Sequence, residues 1–131
     1  MTAAEFFAGH PQELCAYRAL EEAVRARIPD MTVRVMKSCV AFDDGRPFCY
    51  VSRQRCGGRK GANILVSFGL DAPIADSRIA AAVKPYPNRW THHVPVGDPE
   101  EVDAQLLAWI DWAHAFSKRK RARHIENVRA D

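Results

Sequence analysis

Thr32-Val33-Arg34-Val35-Met36-Lys37 and Cys39-Val40-Ala41-Phe42, followed across Asp43-Asp44-Gly45-Arg46-Pro47 by Phe48-Cys49-Tyr50-Val51, decide the fold. Here β-branched and aromatic residues alternate with polar ones, the period of two that marks a strand. Two strands, or one bent strand, are predicted before the turn. Asp44-Gly45 is a hairpin signal, because glycine takes the positive φ of a tight turn without steric cost. Phe48 to Val51 then returns as a strand, pairing the two Phe-bearing segments.

Upstream the period changes. Leu14, Tyr17, Leu20, Val24 and Ile28 recur every three or four residues, one face of a helix that opens at His10-Pro11 and ends at Pro29-Asp30. Downstream, Arg53 to Gly61 is basic and glycine-rich and reads as a solvated loop, and Asn63 to Phe68 as a strand. In Asp71 to Val83 the signals conflict; strand is the reading taken for Arg78 to Val83. After Pro85 and Pro87, Trp90 to Val96 reads as the last strand. Asp98 as N-cap, Pro99 at the first helical position and Glu101 predict a final helix, with Val102, Leu106, Trp109, Ile110, Ala113 and Phe116 as its apolar stripe. The order predicts an α+β two-layer sandwich: an antiparallel sheet of about five strands covered by an N-terminal and a C-terminal helix.

At 131 residues, 47% apolar and 27% charged, the chain reads as one foldable domain, residues 1–117, with a basic, flexible tail expected over 118–131. Residues 1–116 hold thirteen basic and fourteen acidic groups, so the net charge of +3 comes from the tail. No secretory signal or membrane-length apolar run is present, which makes a cytoplasmic location the expectation. The cysteines, Cys15, Cys39, Cys49 and Cys56, form no C-x-x-C pair, so neither a metal site nor a cofactor is expected.

The densest polar segment is Lys84 to His93. Arg89 offers a planar fork for a carboxylate or phosphate, and Tyr86 and Trp90 offer stacking faces. These residues, with His92, His93 and a strand-borne Lys37, are the candidate site for a small anionic or aromatic ligand in a non-enzymatic binding domain. Adjacent histidines on a strand point to opposite faces, so His92 and His93 do not share one metal ion, and one of them is inward. An enzyme using either histidine, with Cys39 or Cys49, is a lesser alternative; no catalytic residue is assigned. The other alternative is non-specific nucleic-acid binding through Arg53, Arg55, Arg59 and Lys60 together with Lys118, Arg119, Lys120 and Arg121. Monomer and homodimer both remain open.

Glu5-Phe6-Phe7, the strand Val35 to Phe42, Val66-Ser67-Phe68-Gly69-Leu70, the run Pro85-Tyr86-Pro87-Asn88-Arg89-Trp90-Thr91-His92-His93-Val94 and the helix Asp98 to Ser117 together resemble an uncharacterised bacterial family of unknown function. The resemblance spans roughly Ala4 to Ser117 and implies a fold similar to YdhG-like and YjbR-like small α+β domains. It implies no reaction, cofactor or catalytic residue. Some YdhG-like relatives are discussed as iron chaperones, but this chain lacks a dense acidic ridge.

Overall fold

The computed structural model describes residues 1–54 and 61–130. In chain order it contains α1 (Ala3–Phe6), α2 (Pro11–Arg27), β1 (Thr32–Val35), β2 (Val40–Asp43), β3 (Pro47–Ser52), β4 (Ile64–Leu70), β5 (Ala81–Tyr86), β6 (Arg89–Val96), a 3-10 turn (Pro99–Glu101) and α3 (Ala104–Ala130). The strands form one sheet, ordered β1-β2-β3-β4-β6-β5, with every neighbouring pair antiparallel. The architecture is α+β as expected. The sheet has six strands because the segment after Thr32 makes two strands, turned at Met36 to Cys39, where the Met36 amide donates to the Cys39 carbonyl at 2.8 Å.

Both long helices cover one face of the sheet. Tyr17, Leu20 and Val24 of α2 and Leu106, Trp109 and Ile110 of α3 pack into a single core with Phe42, Val51, Val66, Phe68 and Val94. Pleat alternation sorts β4: Ile64, Val66, Phe68 and Leu70 point to the helices, while Ser67 and Gly69 lie on the other, uncovered face. α1 adds a piece the sequence reading lacked. Thr2 accepts from the Glu5 amide at 3.1 Å, and the Glu5 carboxylate accepts from the Thr2 amide at 3.3 Å. This reciprocal cap holds one helical turn that delivers Phe6 and Phe7 to the core.

The final helix starts later than predicted. Asp98-Pro99 opens only the 3-10 turn, in which Glu101 accepts from the Gly97 and Asp98 amides, both at 3.1 Å. Backbone at Val102 then leaves helical geometry, and Asp103 takes over, its Oδ1 accepting from the Leu106 amide at 3.0 Å. The strand expected from Arg78 begins at Ala81 instead and runs through Pro85, which an edge strand tolerates because one side needs no donor. Residues 71–80 form a connection fastened by Arg78. Its guanidinium donates to the Asp103 carboxylate at 2.8 and 2.9 Å and to the Glu101 carbonyl at 2.7 Å. It also lies 5.9 Å from the Trp109 ring. The backbone of α3 continues through Lys118 to Arg123 as far as Ala130. Among the described residues no helix is long and apolar enough to cross a membrane.

Candidate functional site

The β3–β4 ladder is short. Only Tyr50↔Ser67, Val51↔Val66 and Ser52↔Leu65 pair, although β3 starts at Pro47 and β4 runs to Leu70. Beyond Tyr50 the start of β3 pairs only with β2, and the end of β4 only with β6. The sheet therefore parts at this end. A hollow of about 240 Å³ lies at this end of the sheet, lined by Arg46, Pro47 and Tyr50 at the start of β3, Tyr86 and Arg89 of the β5–β6 turn, and Ser117 of α3.

Local sequence explains how these side chains meet. Arg46 ends the Asp44-Gly45 turn, in which Gly45 has φ 83°, and Tyr50 follows on β3. Tyr86 and Arg89 face each other across the β5–β6 turn, where Asn88 takes φ 65°, a conformation asparagine tolerates better than most residues. Gly69 completes the seat: a Cβ there would lie 2.5 Å from Arg89 Cζ, so the guanidinium rests where a side chain is missing. Among the described residues neither the Arg46 nor the Arg89 side chain has a carboxylate partner. Other arginines are paired: Arg27 with Asp111 at 2.9 Å, Arg34 with Asp43 at 3.0 Å, Arg78 with Asp103 at 2.8 Å. A larger hollow, about 530 Å³, is lined in part by the Arg27–Asp111 and His114–Asp44 pairs.

The structure divides the residues singled out in the sequence. Tyr86, Arg89 and His93 share the uncovered face. His93 Nδ1 is 2.7 Å from Ser67 Oγ, its cross-strand partner, and burial lowers its pKa. His92 lies on the helix side, fully buried and stacked on Phe68 at 5.4 Å, and its Nε2 accepts from the Ile74 amide at 3.0 Å. Burial lowers its pKa too, opposed by the carbonyls of Phe68 and Trp90. Trp90 is on that same helix side, with Lys84 Nζ 5.8 Å from its ring. Lys37 is not on a strand; it sits exposed in the β1–β2 turn, at the opposite end of the strands from the hollow. Cys49 is buried, its thiol pushed up to about 12 by desolvation, and lies on the face away from His93.

The described members of the basic set are engaged within the fold. Arg53 is 2.8 Å from His10 Nε2 and covers the Phe6 ring at 5.1 Å. Lys118 pairs with Asp44 at 3.0 Å and Arg119 with Asp71 at 3.9 Å. Arg55, Arg59 and Lys60 lie outside the described residues, as do the side chains of Lys120 and Arg121. Among the described residues no three His, Cys, Asp or Glu side chains are grouped to hold a metal ion.

Sequence reading missed Arg46, Tyr50, Ser67, Gly69 and Ser117. Arg46 and Tyr50 looked like ordinary hairpin residues, and the parting of β3 from β4 leaves no local mark. The one available signal was Ser67-x-Gly69, two small residues on the uncovered face of an otherwise apolar strand.

Neither curated proteins nor solved structures gave a match to the chain. The model of the family described as Domain of unknown function (DUF5655) matches residues 3–117, from α1 to the point where α3 passes the hollow, and the chain belongs to that family.

Proposed function

We propose that this domain binds a small anion, a carboxylate or phosphate compound, in the hollow that Arg46 and Arg89 line. One observation carries the reading: two guanidinium groups without carboxylate partners among the described residues, Arg46 and Arg89, border one hollow with two phenol rings, Tyr50 and Tyr86. Arginine forks match such groups through paired hydrogen bonds, and the tyrosines supply flat contact area with polar tips. The reading is one of binding and requires no reaction. A bacterial source and a YdhG-like or YjbR-like relationship belong to the same proposal and rest on the motif resemblance alone, and a cytoplasmic setting belongs to it on the sequence's lack of a secretory signal or membrane-length apolar run.

A thermal-shift series with inorganic phosphate, pyrophosphate and citrate tests it. A ligand at a hundred times its Kd stabilises the folded state by about 2.7 kcal/mol, a rise of several degrees for a domain of this size. Arg46→Ala and Arg89→Ala should each remove most of the rise. Equal rises in wild type and both variants would refute the site. Binding of a short single-stranded oligonucleotide that survives both substitutions and fades steeply with salt would favour the Arg53–Lys60 and Lys118–Arg121 set instead.

A further inference from the structure

We propose that Ser67 and His93 are a nucleophile and its general base, and that the domain cleaves small esters whose acyl part carries an anionic group held by Arg89. The inference rests on the anion site for its choice of substrate, and on independent geometry for its chemistry.

Ser67 Oγ and His93 Nδ1 are 2.7 Å apart on the uncovered face of the sheet. Both residues are half-buried, shielded enough to hold the contact and open enough to be reached. A serine hydroxyl becomes nucleophilic when a neutral imidazole takes its proton as it attacks, and this is the contact that transfer requires. Burial favours the neutral imidazole at His93. Ser67 is also the last β4 residue laddered to β3, and its partner there, Tyr50, lines the hollow. Two residues further along the same face, the Arg89 guanidinium rests over Gly69. Two residues of strand span about 7 Å, the reach of a short acyl chain between an anchored anion and an ester carbonyl. Tyr50, directly across from Ser67 and lining the hollow, is the neighbouring hydroxyl donor for the oxyanion that forms.

The steps balance with water as the second substrate. Ser67 Oγ bonds to the ester carbonyl carbon while its proton passes to His93 Nδ1. Collapse breaks the bond to the leaving oxygen, which takes that proton and departs as the alcohol. Water then attacks the acyl-serine carbonyl, giving its proton to His93; the acid leaves, and Ser67 recovers its proton.

The test uses the full chain with mono-p-nitrophenyl succinate and p-nitrophenyl acetate, following nitrophenolate release and mapping the acyl adduct by mass spectrometry. The succinate ester should react faster than the acetate ester, with the adduct on Ser67. Ser67→Ala should abolish the adduct, His93→Gln should slow release about a hundredfold, and Arg89→Ala should narrow the preference for succinate. Mapping on the wild-type chain needs no variant to fold, and an unchanged far-ultraviolet circular dichroism spectrum shows that Ser67→Ala is folded. No adduct, an adduct elsewhere, or release by Ser67→Ala within twofold of wild type overturns the proposal. A wild-type chain that shows no phosphate shift yet acylates Ser67 removes the anion site and leaves the dyad standing.

Discussion

His92 and His93 are adjacent on β6, and the pleat gives them opposite surroundings. His92 enters the helix-covered face, where Phe68 stacks on its ring and the Ile74 amide uses its Nε2. His93 emerges on the uncovered face beside the Ser67 hydroxyl. Burial disfavours the charged form of both. The difference lies in what surrounds the neutral ring. On the covered side its contacts are fixed by packed aromatics and one backbone donor, so the imidazole serves stability. On the other side the ring is half-buried and its neighbour is the Ser67 hydroxyl, the contact on which the proposed chemistry rests. The two faces of this sheet thus place the same residue type in two different settings, one packed and one partly open.

The largest effect that separates them comes from neighbouring residues of β4. Phe68 is buried and touches His92 and Trp109, with ring centroids at 5.4 and 6.3 Å. Phe68→Ala should cost about 3–5 kcal/mol in urea unfolding, since truncation of a core ring loses its burial and leaves a cavity. Ser67→Ala, one residue away, removes a half-buried neutral hydrogen bond and should cost no more than about 1.5 kcal/mol. Equal costs would show that the uncovered face is as much a structural element as the core.

Acid should sharpen the contrast next. His92 has a folded pKa below its ordinary value of about 6.5, so between that value and the folded pKa the unfolded chain binds the extra proton. Stability is therefore fully present above about pH 6.5 and falls as pH drops through the folded pKa. His93 contributes in the same direction. His92→Gln keeps an acceptor for the Ile74 amide and cannot titrate, so urea midpoints measured from pH 7.5 to 5.5 should decline less steeply than in wild type. An unchanged slope would assign the acid sensitivity to His93 or elsewhere.

Legibility in the sequence follows the same division. The covered face was readable because burial imposes a period: Leu14, Tyr17, Leu20 and Val24 on α2, and Leu106, Trp109, Ile110 and Ala113 on α3, all face inward or pack on the core. The opposite orientation of His92 and His93 was readable for the same reason. The candidate site was only half readable. Tyr86, Arg89 and His93 were found as a dense local run, but Ser67 meets His93 through the β4–β6 register and Arg46 and Tyr50 come in from the start of β3, tertiary pairings with no residue period. Lys37 was misplaced because the Met36–Cys39 turn lacks glycine and proline, the usual marks of a tight turn. Asp98 was overvalued for the opposite reason: the cap motif is real but belongs to one 3-10 turn, and Asp103 caps the helix.

Gly69 offers a finer break, because it ties the two kinds of face together in one atom. A methyl at this position would collide with the end of Arg89, a flexible side chain that can swing away. Gly69→Ala should therefore change stability by less than about 1 kcal/mol, against the several expected for Phe68→Ala next door. Phosphate affinity, by titration calorimetry, should fall about tenfold, equivalent to about 1.4 kcal/mol. Stability lost with affinity intact would mean that Arg89 is a packing residue rather than a ligand-binding one.

The smallest effect asks whether charge on the uncovered face matters by itself. Arg34 lies on that face of β1, but its guanidinium is already paired with Asp43 at 3.0 Å and more than half exposed. Exposed pairs of this kind contribute about 0.2–1 kcal/mol. Arg34→Ala should lower the urea-derived stability by no more than that and leave phosphate affinity unchanged, because Arg34 does not line the hollow. Among the described residues Arg46 and Arg89 have no such partner, and that distinction separates them from Arg34. A loss of phosphate affinity in Arg34→Ala comparable with that in Arg89→Ala would mean that the anion feels the summed field of the sheet, and that the hollow does not localise it.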